Sequence, residues 1–530
     1  MHDAPTVSPR QPTAVKSPQP FATPALAARR FGFDAGERAV LLLLLLSSAL
    51  ISTGLLRVSL VLGNDALAHL MNGWLGNHLK DIGAGYSSYW ERGFPVTSRG
   101  YHELFGLLEP LCGWRTAHAL TIDVILHVWI VGFALLVRAL HGRLTVVALF
   151  GPATALSWSF FIGLYPFVLS SGLALMAIAF WWSRPSHKRL VDFALVSLML
   201  LLTAAAHPLP AILGGILVLA AERRLAARNL VGLVIAGIPA VIVSLLARMS
   251  TSDSGLTGVS LWLPFHERVL DLADRFAGGP LWRGLFPIVV AVAGVAIGVR
   301  RPQRVLVVLA AALLLASLAL PWQWGGWQFA STRPLPMAFA VLAASLELPR
   351  IAQRRALHLA IVGAFVVTAL ASTVWGVLTL QQIDEDNRPF LTALDSFPRS
   401  PAHRITVVVT RPPSPPSIER IAPLLHVGQL AALQLGGSDH YAQDRTPSIH
   451  SMLRVPHACD RAVPTKSDMA RAMDSNDPSA RRELVLALLG TARPHDEVLV
   501  LGAPDDQALL ESAGFTVVAA QDGVFLLRPR

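Results

Sequence analysis

The sequence is poor in charged residues and nearly devoid of cysteine. Asp, Glu, Lys and Arg make up 15% of its 530 residues, compared with about 25% in soluble globular chains, while 53% of the residues are hydrophobic and mean hydropathy is +0.51. A chain this long with so little charge cannot cover itself with a water-soluble surface, which excludes a soluble enzyme, a disulfide scaffold and a disordered protein. Its two cysteines also exclude a zinc finger or a cysteine-ligated cluster. The composition predicts a membrane protein.

The charge that is present is mainly basic, with a net charge of +10 and a pI near 10.3. The arginines lie in short clusters between apolar runs, as in the cytoplasmic loops of membrane proteins. We therefore expect a lipid bilayer as a partner, and no nucleic acid.

The apolar runs predict a transmembrane domain over residues 39–380, after a disordered cytoplasmic N-terminal tail over residues 1–38. The first run is too long, and starts too far from the N-terminus, to be the core of a signal peptide, so it is a retained helix. His207-Pro208 either separates two of the later helices or kinks one. Together the runs predict about eleven spans. They cover residues 39–62, 117–140, 144–162, 164–182, 190–206, 208–221, 229–247, 284–299, 304–320, 335–349 and 357–380.

Basic residues set the predicted orientation of these spans. Arg29, Arg30 and Arg38 precede the first span, which places the N-terminus in the cytoplasm. Every loop that alternate counting then places in the cytoplasm is basic. These loops cover residues 141–143, 184–189, 222–228, 300–304 and 350–355. A large first loop, 63–116, and the segment 381–530 are then extracytoplasmic in an integral plasma (inner) membrane protein.

The segment 381–530 has the pattern of a soluble α/β domain. Apolar and β-branched runs predict strands, and Asp522-Gly523 predicts the tight turn of a hairpin. No glycine-rich phosphate loop follows these strands, so we expect no nucleotide site there. The predicted strands cover residues 406–410, 497–501, 515–520 and 524–527, and the predicted helices 418–435 and 482–489. The predicted fold class is a polytopic α-helical membrane protein with a C-terminal soluble α/β domain.

The first outer loop is rich in groups that could carry chemistry. Asp65 and His69 are four residues apart, so on a helix they share one face. One hypothesis makes Asp65 a catalytic base with His69 as its orienting or metal-binding partner, beside aromatic platforms for a sugar. The alternative is that Asp65 caps a helix in a solvated amphipathic loop. Further candidates for substrate binding in this loop are Glu91, His102 and Glu103.

Alternate counting brings polar residues of later segments to the same outer face. Tyr165 and His207 are predicted there, as is Arg333 in a tryptophan-rich loop. The planar fork of an arginine matches phosphate oxygens, so Arg333 is a candidate for binding a lipid phosphate, and Arg57 is a second. The alternative for both is an interfacial anchor.

Three other groups have simple structural interpretations. Asp123 and His127 lie inside the second span and either satisfy each other or mark a site. The acidic triplet 384–386 is predicted to be a solvated linker. Cys112 and Cys459 are both predicted outside, and the sequence leaves open whether they form a disulfide.

These features together resemble the GT-C superfamily of integral membrane glycosyltransferases. The resemblance rests on the number of spans, the cytoplasmic start, the long first outer loop opening with Asn64-Asp65, and the outer domain after the last span. It departs from members with adjacent acidic residues, since Asn64 stands where one of them would be, and the C-terminal segment lacks a Trp-Trp-Asp motif. Protein N-glycosylation is therefore not expected.

The resemblance implies an inverting glycosyltransferase that moves a hexosyl or pentosyl group. The donor would be a polyprenyl-phosphate-linked sugar at the outer face, and the acceptor a glycan, lipid or protein. It leaves open a divalent cation, Mg²⁺ or Mn²⁺, which Asp65 and His69 would bind. Two other classes remain: a transporter or flippase for a lipid-linked or polar substrate, and a non-catalytic assembly protein.

Overall fold

The chain forms a bundle of apolar helices followed by a mixed β-sheet. The computed structural model describes residues 34–63, 65–78, 91–92, 98–184, 189–222, 226–249, 260–262, 264–269, 303–321, 323–324, 327–328, 331–346, 355–398, 404–409, 427–435, 438–439, 453–454, 497–501, 508, 511–512 and 514–530.

Within the described part of the chain, five helices are long and apolar enough to cross a membrane, so the chain is an integral membrane protein. They are α1 (Ala35–Arg57), α4 (Trp114–His141), α7 (Tyr165–Ser183), α10 (Ala227–Met249) and α13 (Arg355–Ser396). The other described helices are α2 (Ala66–His78), α3 (Gly100–Cys112), α5 (Phe150–Ala155), α6 (Trp158–Phe161), α8 (Leu190–Ala206), α9 (Pro208–Ala220), α11 (Arg304–Ala319), α12 (Leu335–Ala344) and α14 (Val427–Leu435).

The first helix illustrates why these segments are helical. The Asp34 carboxylate accepts from the Glu37 N–H, and Glu37 returns a bond to the Asp34 N–H, which forms a capping box. Along α1, Leu44 and Ile51 are buried, whereas Leu45 on the opposite side is largely exposed. An exposed leucine face suits contact with lipid, where backbone groups must bond within the helix.

One predicted span is not a single helix in the structure. The run 144–162 is broken into a 3₁₀ turn (Val146–Leu149), α5 and α6. Pro152 has no N–H to donate, and the backbone leaves the helical conformation at Leu156–Ser157. The predicted span 284–299 lies outside the described residues.

The stretch 190–221 forms two helices. α8 ends at Ala206, and His207 caps α9 by accepting the Leu209 N–H at its Nδ1 atom, at 3.2 Å. The last span is longer than expected, because α13 has 42 residues and continues to Ser396. Asp384 on this helix is 1% exposed, so the prediction of a solvated linker was wrong for this residue.

Hydrogen bonds join one set of helix ends to each other. We call this end of the bundle the arginine end. Glu37 accepts from the Leu144 N–H at 2.9 Å, which joins the start of α1 to the end of α4. The Gln303 side chain donates to Leu140 O, and the His141 ring bonds Ala344 O. Arg143 and Arg304, described members of the basic segments predicted to be cytoplasmic, adjoin these helix ends.

The opposite set of helix ends forms what we call the site end. The ends of α1 and α8 and the starts of α4, α7, α9 and α12 meet there. The Arg99 N–H donates to Ala205 O, and the His118 ring bonds Val61 O. Asp123 and His127 lie farther along α4, where they form an ion pair and Ser52 donates to Asp123 at 2.8 Å. The predicted mutual pairing of these two residues is confirmed.

The C-terminal segment contains a five-stranded sheet with the order β6-β5-β8-β10-β9. β5 pairs in parallel with β6 and β8, and β10 runs antiparallel to β8 and β9. The hairpin turn at Asp522-Gly523 has positive φ at both residues, as predicted. The predicted helix 482–489 lies outside the described residues. The strands of this sheet are β5 (Arg404–Val409), β6 (Ser438–Asp439), β8 (Glu497–Leu501), β9 (Phe515–Gln521) and β10 (Val524–Pro529).

This sheet domain is joined to the site end of the bundle. Helix α14 packs against α2 and α13. Arg115 forms an ion pair with Asp395, which also accepts from Gln434 at 2.7 Å. β1 (Glu91–Arg92) in the first loop pairs with β7 (Leu453–Arg454). A small sheet of β2 (Ser260–Leu261), β3 (Gln323–Trp324) and β4 (Trp327–Gln328) completes the described strands.

Candidate functional site

The candidate site begins where the chain leaves α1 and turns into α2. The Asp65 N–H donates to Ile162 O at 2.9 Å, and Asp65 O accepts from the His69 N–H at 3.0 Å. Asp65 therefore immediately precedes the first residue of α2, in the position of a helix cap. Its side chain is half-buried.

Two glycines allow the turn before α7 to approach Asp65 closely. Gly163 has a φ of +82°, and a Cβ at this position would lie 2.5 Å from Ala66 N. A Cβ at Gly63 would lie 2.4 Å from Phe161 O. Side chains are excluded at both positions, so the backbones around Asp65 and Gly163 are packed directly on each other.

A buried aromatic and histidine cluster lies next to this turn. His69 Nδ1 and His102 Nε2 are 3.4 Å apart. The rings of Tyr101 and Tyr165 stack, with their centroids 5.7 Å apart. The His69 ring lies 5.6 Å from Tyr101 and 6.2 Å from Tyr165. The Tyr165 hydroxyl is buried and has no hydrogen-bond partner in the described part of the chain.

Tyr101 is held by a histidine that sequence reasoning did not identify. His118 Nε2 is 2.9 Å from Val61 O, so it must donate, and its Nδ1 accepts from the Tyr101 hydroxyl at 2.5 Å. Burial raises the pKa of Tyr101 well above its usual value, and neighbouring Tyr165 raises it further. Tyr101 thus remains a neutral hydrogen-bond donor fixed to the wall of the site.

A second part of the site joins the α8–α9 corner to the start of α12. Arg333 Nη1 lies 3.3 Å from His207 Nε2, and both side chains are buried. Because His207 Nδ1 accepts the Leu209 N–H, the neutral imidazole carries its proton on Nε2. Two N–H donors, one of them cationic, therefore converge on the same space. Such a pair is arranged to share an anionic oxygen.

Asp65 connects these two parts electrostatically, because its charge acts on both Tyr165 and Arg333. Burial lowers the pKa of Arg333 to about 10, while the Asp65 carboxylate opposes this shift. The guanidinium therefore keeps its positive charge at neutral pH. The site combines a carboxylate that can accept a proton with a buried cation that can hold an anion.

The broken helix segment shares a small cavity with Thr332, the residue before Arg333. This cavity is lined by Trp129 on α4, Trp158 and Thr332. Its volume of about 20 Å³ has room for about one water molecule. Non-helical backbone at membrane depth is tolerated where it lines such an internal space.

The structure brings six of the nine predicted site residues together: Asp65, His69, His102, Tyr165, His207 and Arg333. Glu103 instead lies on the exposed face of α3, where it pairs with Arg99. Arg57 is exposed at the end of α1, and only the backbone of Glu91, within β1, is described. Sequence reasoning missed Tyr101, His118 and Gly63. The only signal for His118 was a histidine at the start of an apolar span.

The described donors do not form a metal site around Asp65 and His69. Nowhere among the described residues do three His, Cys, Asp or Glu side chains group to hold a metal ion. The positive charge next to Asp65 comes from Arg333. Cys112 is an exposed free thiol, and Cys459 lies outside the described residues.

No protein-family model and no curated protein matches the chain. Among solved structures, it is similar to the crystal structure of ArnT from Cupriavidus metallidurans bound to undecaprenyl phosphate. The identity is 13% and the TM-score 0.49, over 93% of this chain and 98% of that chain. It is also similar to the cryo-EM structure of the arabinofuranosyltransferase AftD from mycobacteria, at 14% identity and a TM-score of 0.48, over 93% of this chain and 41% of that chain. Both TM-scores lie below 0.5, so any activity has to be argued from the geometry of the site.

Proposed function

We propose that the chain is an inverting glycosyltransferase that moves a sugar from a polyprenyl-phosphate carrier to an acceptor hydroxyl. The observation that carries this proposal is the convergence of Arg333 and His207 Nε2–H on one space, with the Asp65 charge acting on the same arginine. An anion-binding pair next to a proton acceptor suits displacement of a phosphate leaving group.

In the proposed reaction, the acceptor oxygen attacks the anomeric carbon while Asp65 takes the hydroxyl proton. The bond between the anomeric carbon and the phosphate oxygen breaks, and the electron pair leaves with the phosphate. Arg333 and His207 stabilise the added charge, so no general acid is needed for the leaving group. A single displacement of this kind inverts the anomeric centre.

His69 and His102 would position the acceptor side of this reaction. His69 lies one helical turn after Asp65 and contacts His102 and the two stacked tyrosines. Aromatic rings with adjacent polar nitrogens suit a sugar, whose faces are apolar and whose edges carry hydroxyls.

The location of the site supports a lipid-linked donor. The arginine end carries Arg143, Arg184, Arg189 and Arg304 among the described residues, and the positive-inside rule would assign this end to the cytoplasm. The site end and the sheet domain would then face outward, where an activated sugar must arrive on a lipid carrier. The shape of the pocket that a bound substrate fills would determine which sugar and which class of acceptor the protein uses.

The decisive experiment measures transfer from radiolabelled polyprenyl-phosphate sugars by the full chain purified in detergent. We expect Asp65→Asn to lower kcat by about 1,000-fold, because a positioned base contributes about 100-fold to 10,000-fold, while donor binding stays within about threefold. Asp192→Asn is the matched control, since Asp192 is buried at the other end, where it accepts from the Arg189 N–H. It should lose thermal stability but keep its turnover per folded molecule.

Three results would contradict the proposal. Unchanged turnover in Asp65→Asn would show that Asp65 is not the catalytic base. Equal losses of turnover in both aspartate variants would indicate a general folding effect. Vectorial movement of the labelled lipid in proteoliposomes, without transfer, would establish a transporter instead.

A further inference from the structure

The buried carboxylate of Asp384 has no role in the proposed chemistry, yet it bonds the segment that leads to Asp65. It accepts from the Ser59 N–H at 2.8 Å, the Ser59 hydroxyl at 3.3 Å and the Leu60 N–H at 3.4 Å. Arg388, one turn later on α13, donates at 2.9 Å to the carboxylate oxygen that also accepts from the Ser59 hydroxyl. Bonds to an ionised acceptor are stronger than bonds between neutral groups, so this is a firm attachment.

The attachment fixes the first part of a short bridge, residues 58–63, between α1 and Asp65. The next residue, Val61, is held through its carbonyl by His118 at 2.9 Å. Gly63 is then packed against Phe161 O, and the Asp65 N–H donates to Ile162 O. Each contact fixes one further point of the path toward the catalytic carboxylate.

We propose that Asp384 is a positioning residue, which holds residues 58–63 so that the Asp65 carboxylate faces Arg333. This inference rests on the proposed function. It assigns a role in catalysis to Asp384, which is 319 positions away from Asp65 in the sequence. Displacing a catalytic group by about 1 Å can cost about 100-fold in rate, so the effect acts on turnover more than on binding.

The test compares Asp384→Asn, Asp384→Ala and Asp384→Glu with the control Glu385→Gln. Glu385 is the adjacent carboxylate on the same helix and is exposed. We expect Asp384→Asn to lower kcat about tenfold and Asp384→Ala about 100-fold, with the donor KM within about threefold. Asp384→Glu keeps a carboxylate and should recover part of the loss, and Glu385→Gln should match wild type.

Hydrogen-exchange mass spectrometry supplies a measurement that does not depend on activity. The amides of Ser59 and Leu60 should exchange at least about tenfold faster in Asp384→Ala, because their acceptor is gone. Unchanged exchange would overturn the attachment, and faster exchange with wild-type kcat would overturn the positioning role. If wild type transfers no sugar, the proposed function fails, while the exchange measurement still decides whether Asp384 holds the bridge.

Arg388→Gln covers the case in which the Asp384 variants do not fold. It keeps the Asp384 carboxylate but removes the cation that pairs with it, so the carboxylate is held less firmly and its bonds to Ser59 should weaken. A kcat lowered at least about threefold, with faster Ser59 exchange, supports the proposal. Wild-type values of both would overturn it.

Discussion

Both ends of the helix bundle bury polar and charged side chains, but these groups have different kinds of partner. At the arginine end, Glu37 accepts from backbone N–H groups, and Asp192 accepts from the Arg189 N–H and pairs with Arg184. At the site end, His69 faces His102, and His207 faces Arg333. The carboxylates at the arginine end fasten helix ends, whereas the side chains that face each other at the site end line the space proposed for a ligand.

The energetic consequence also differs between the ends. A buried carboxylate that satisfies a helix terminus contributes to stability in every state of the protein. The N–H groups of Arg333 and His207, which lie 3.3 Å apart, would gain a further charge-assisted interaction when an anion binds. Substitutions at the two ends should therefore separate stability from activity.

After Asp65→Asn, the largest effect is expected from a pair of glycines, one at each end. Gly163→Ala places a Cβ 2.5 Å from Ala66 N, so the turn carrying Asp65 must move, and we expect transfer to fall by about 100-fold. Gly142→Ala has a similar φ of +70° but nothing within 4 Å. It should cost only about 1–2 kcal/mol of stability, and turnover should not change.

Transfer assays and thermal unfolding on both glycine variants check this contrast. Equal loss of activity in the two would show that left-handed backbone strain, rather than the close packing on Asp65, determines the result.

A smaller effect is expected from the arginines. Arg333→Gln removes the buried cation, and the donor KM should rise about tenfold to 100-fold, because a hydrogen bond to a charged group contributes about 1.5–3 kcal/mol. Arg333→Lys should recover only part of this, since an ammonium lacks the planar fork. Arg304→Gln, on an exposed arginine at the arginine end, should leave KM unchanged.

Titration of each variant with the donor lipid at several salt concentrations measures this difference. If Arg333→Gln bound the donor lipid with wild-type affinity, Arg333 would have no role in binding its phosphate.

The smallest effect concerns two buried aromatic side chains. Tyr165→Phe removes a buried hydroxyl that has no partner within the described residues, so stability should hold or rise by about 1 kcal/mol. Trp181→Phe, by contrast, removes an indole that donates to Glu222 at 3.2 Å, and stability should fall. The KM for donor or acceptor should rise about threefold in Tyr165→Phe but not in Trp181→Phe. The reason is that the Tyr165 hydroxyl, which has no partner within the described residues, can bond substrate.

Thermal unfolding and KM measured on the same preparations test this pair. A stability loss in Tyr165→Phe as large as that in Trp181→Phe would mean that the hydroxyl is structural.

Local patterns predicted much of the fold. The apolar runs gave the long helices, and Asp522-Gly523 gave the hairpin, because helix length and turn type depend on neighbouring residues. Counting the spans alternately inward and outward also predicted that Tyr165, His207 and Arg333 lie at the same end of the bundle as Asp65. The break at Leu156–Ser157 was missed, because the hydropathy of the run 144–162 does not show where the backbone leaves the helical conformation.

Sequence by itself determined that the chain is a membrane protein, which of its ends carries the basic segments, and which residue types could act at the other end. Tertiary structure alone decided the contacts between distant residues: Arg333 with His207, His69 with His102, and Asp384 with Ser59. It also decided that Glu103 faces outward to Arg99. The reason is physical, since hydropathy and spacing fix the depth and face of a residue on its own helix, but only the packing of helices fixes which faces meet.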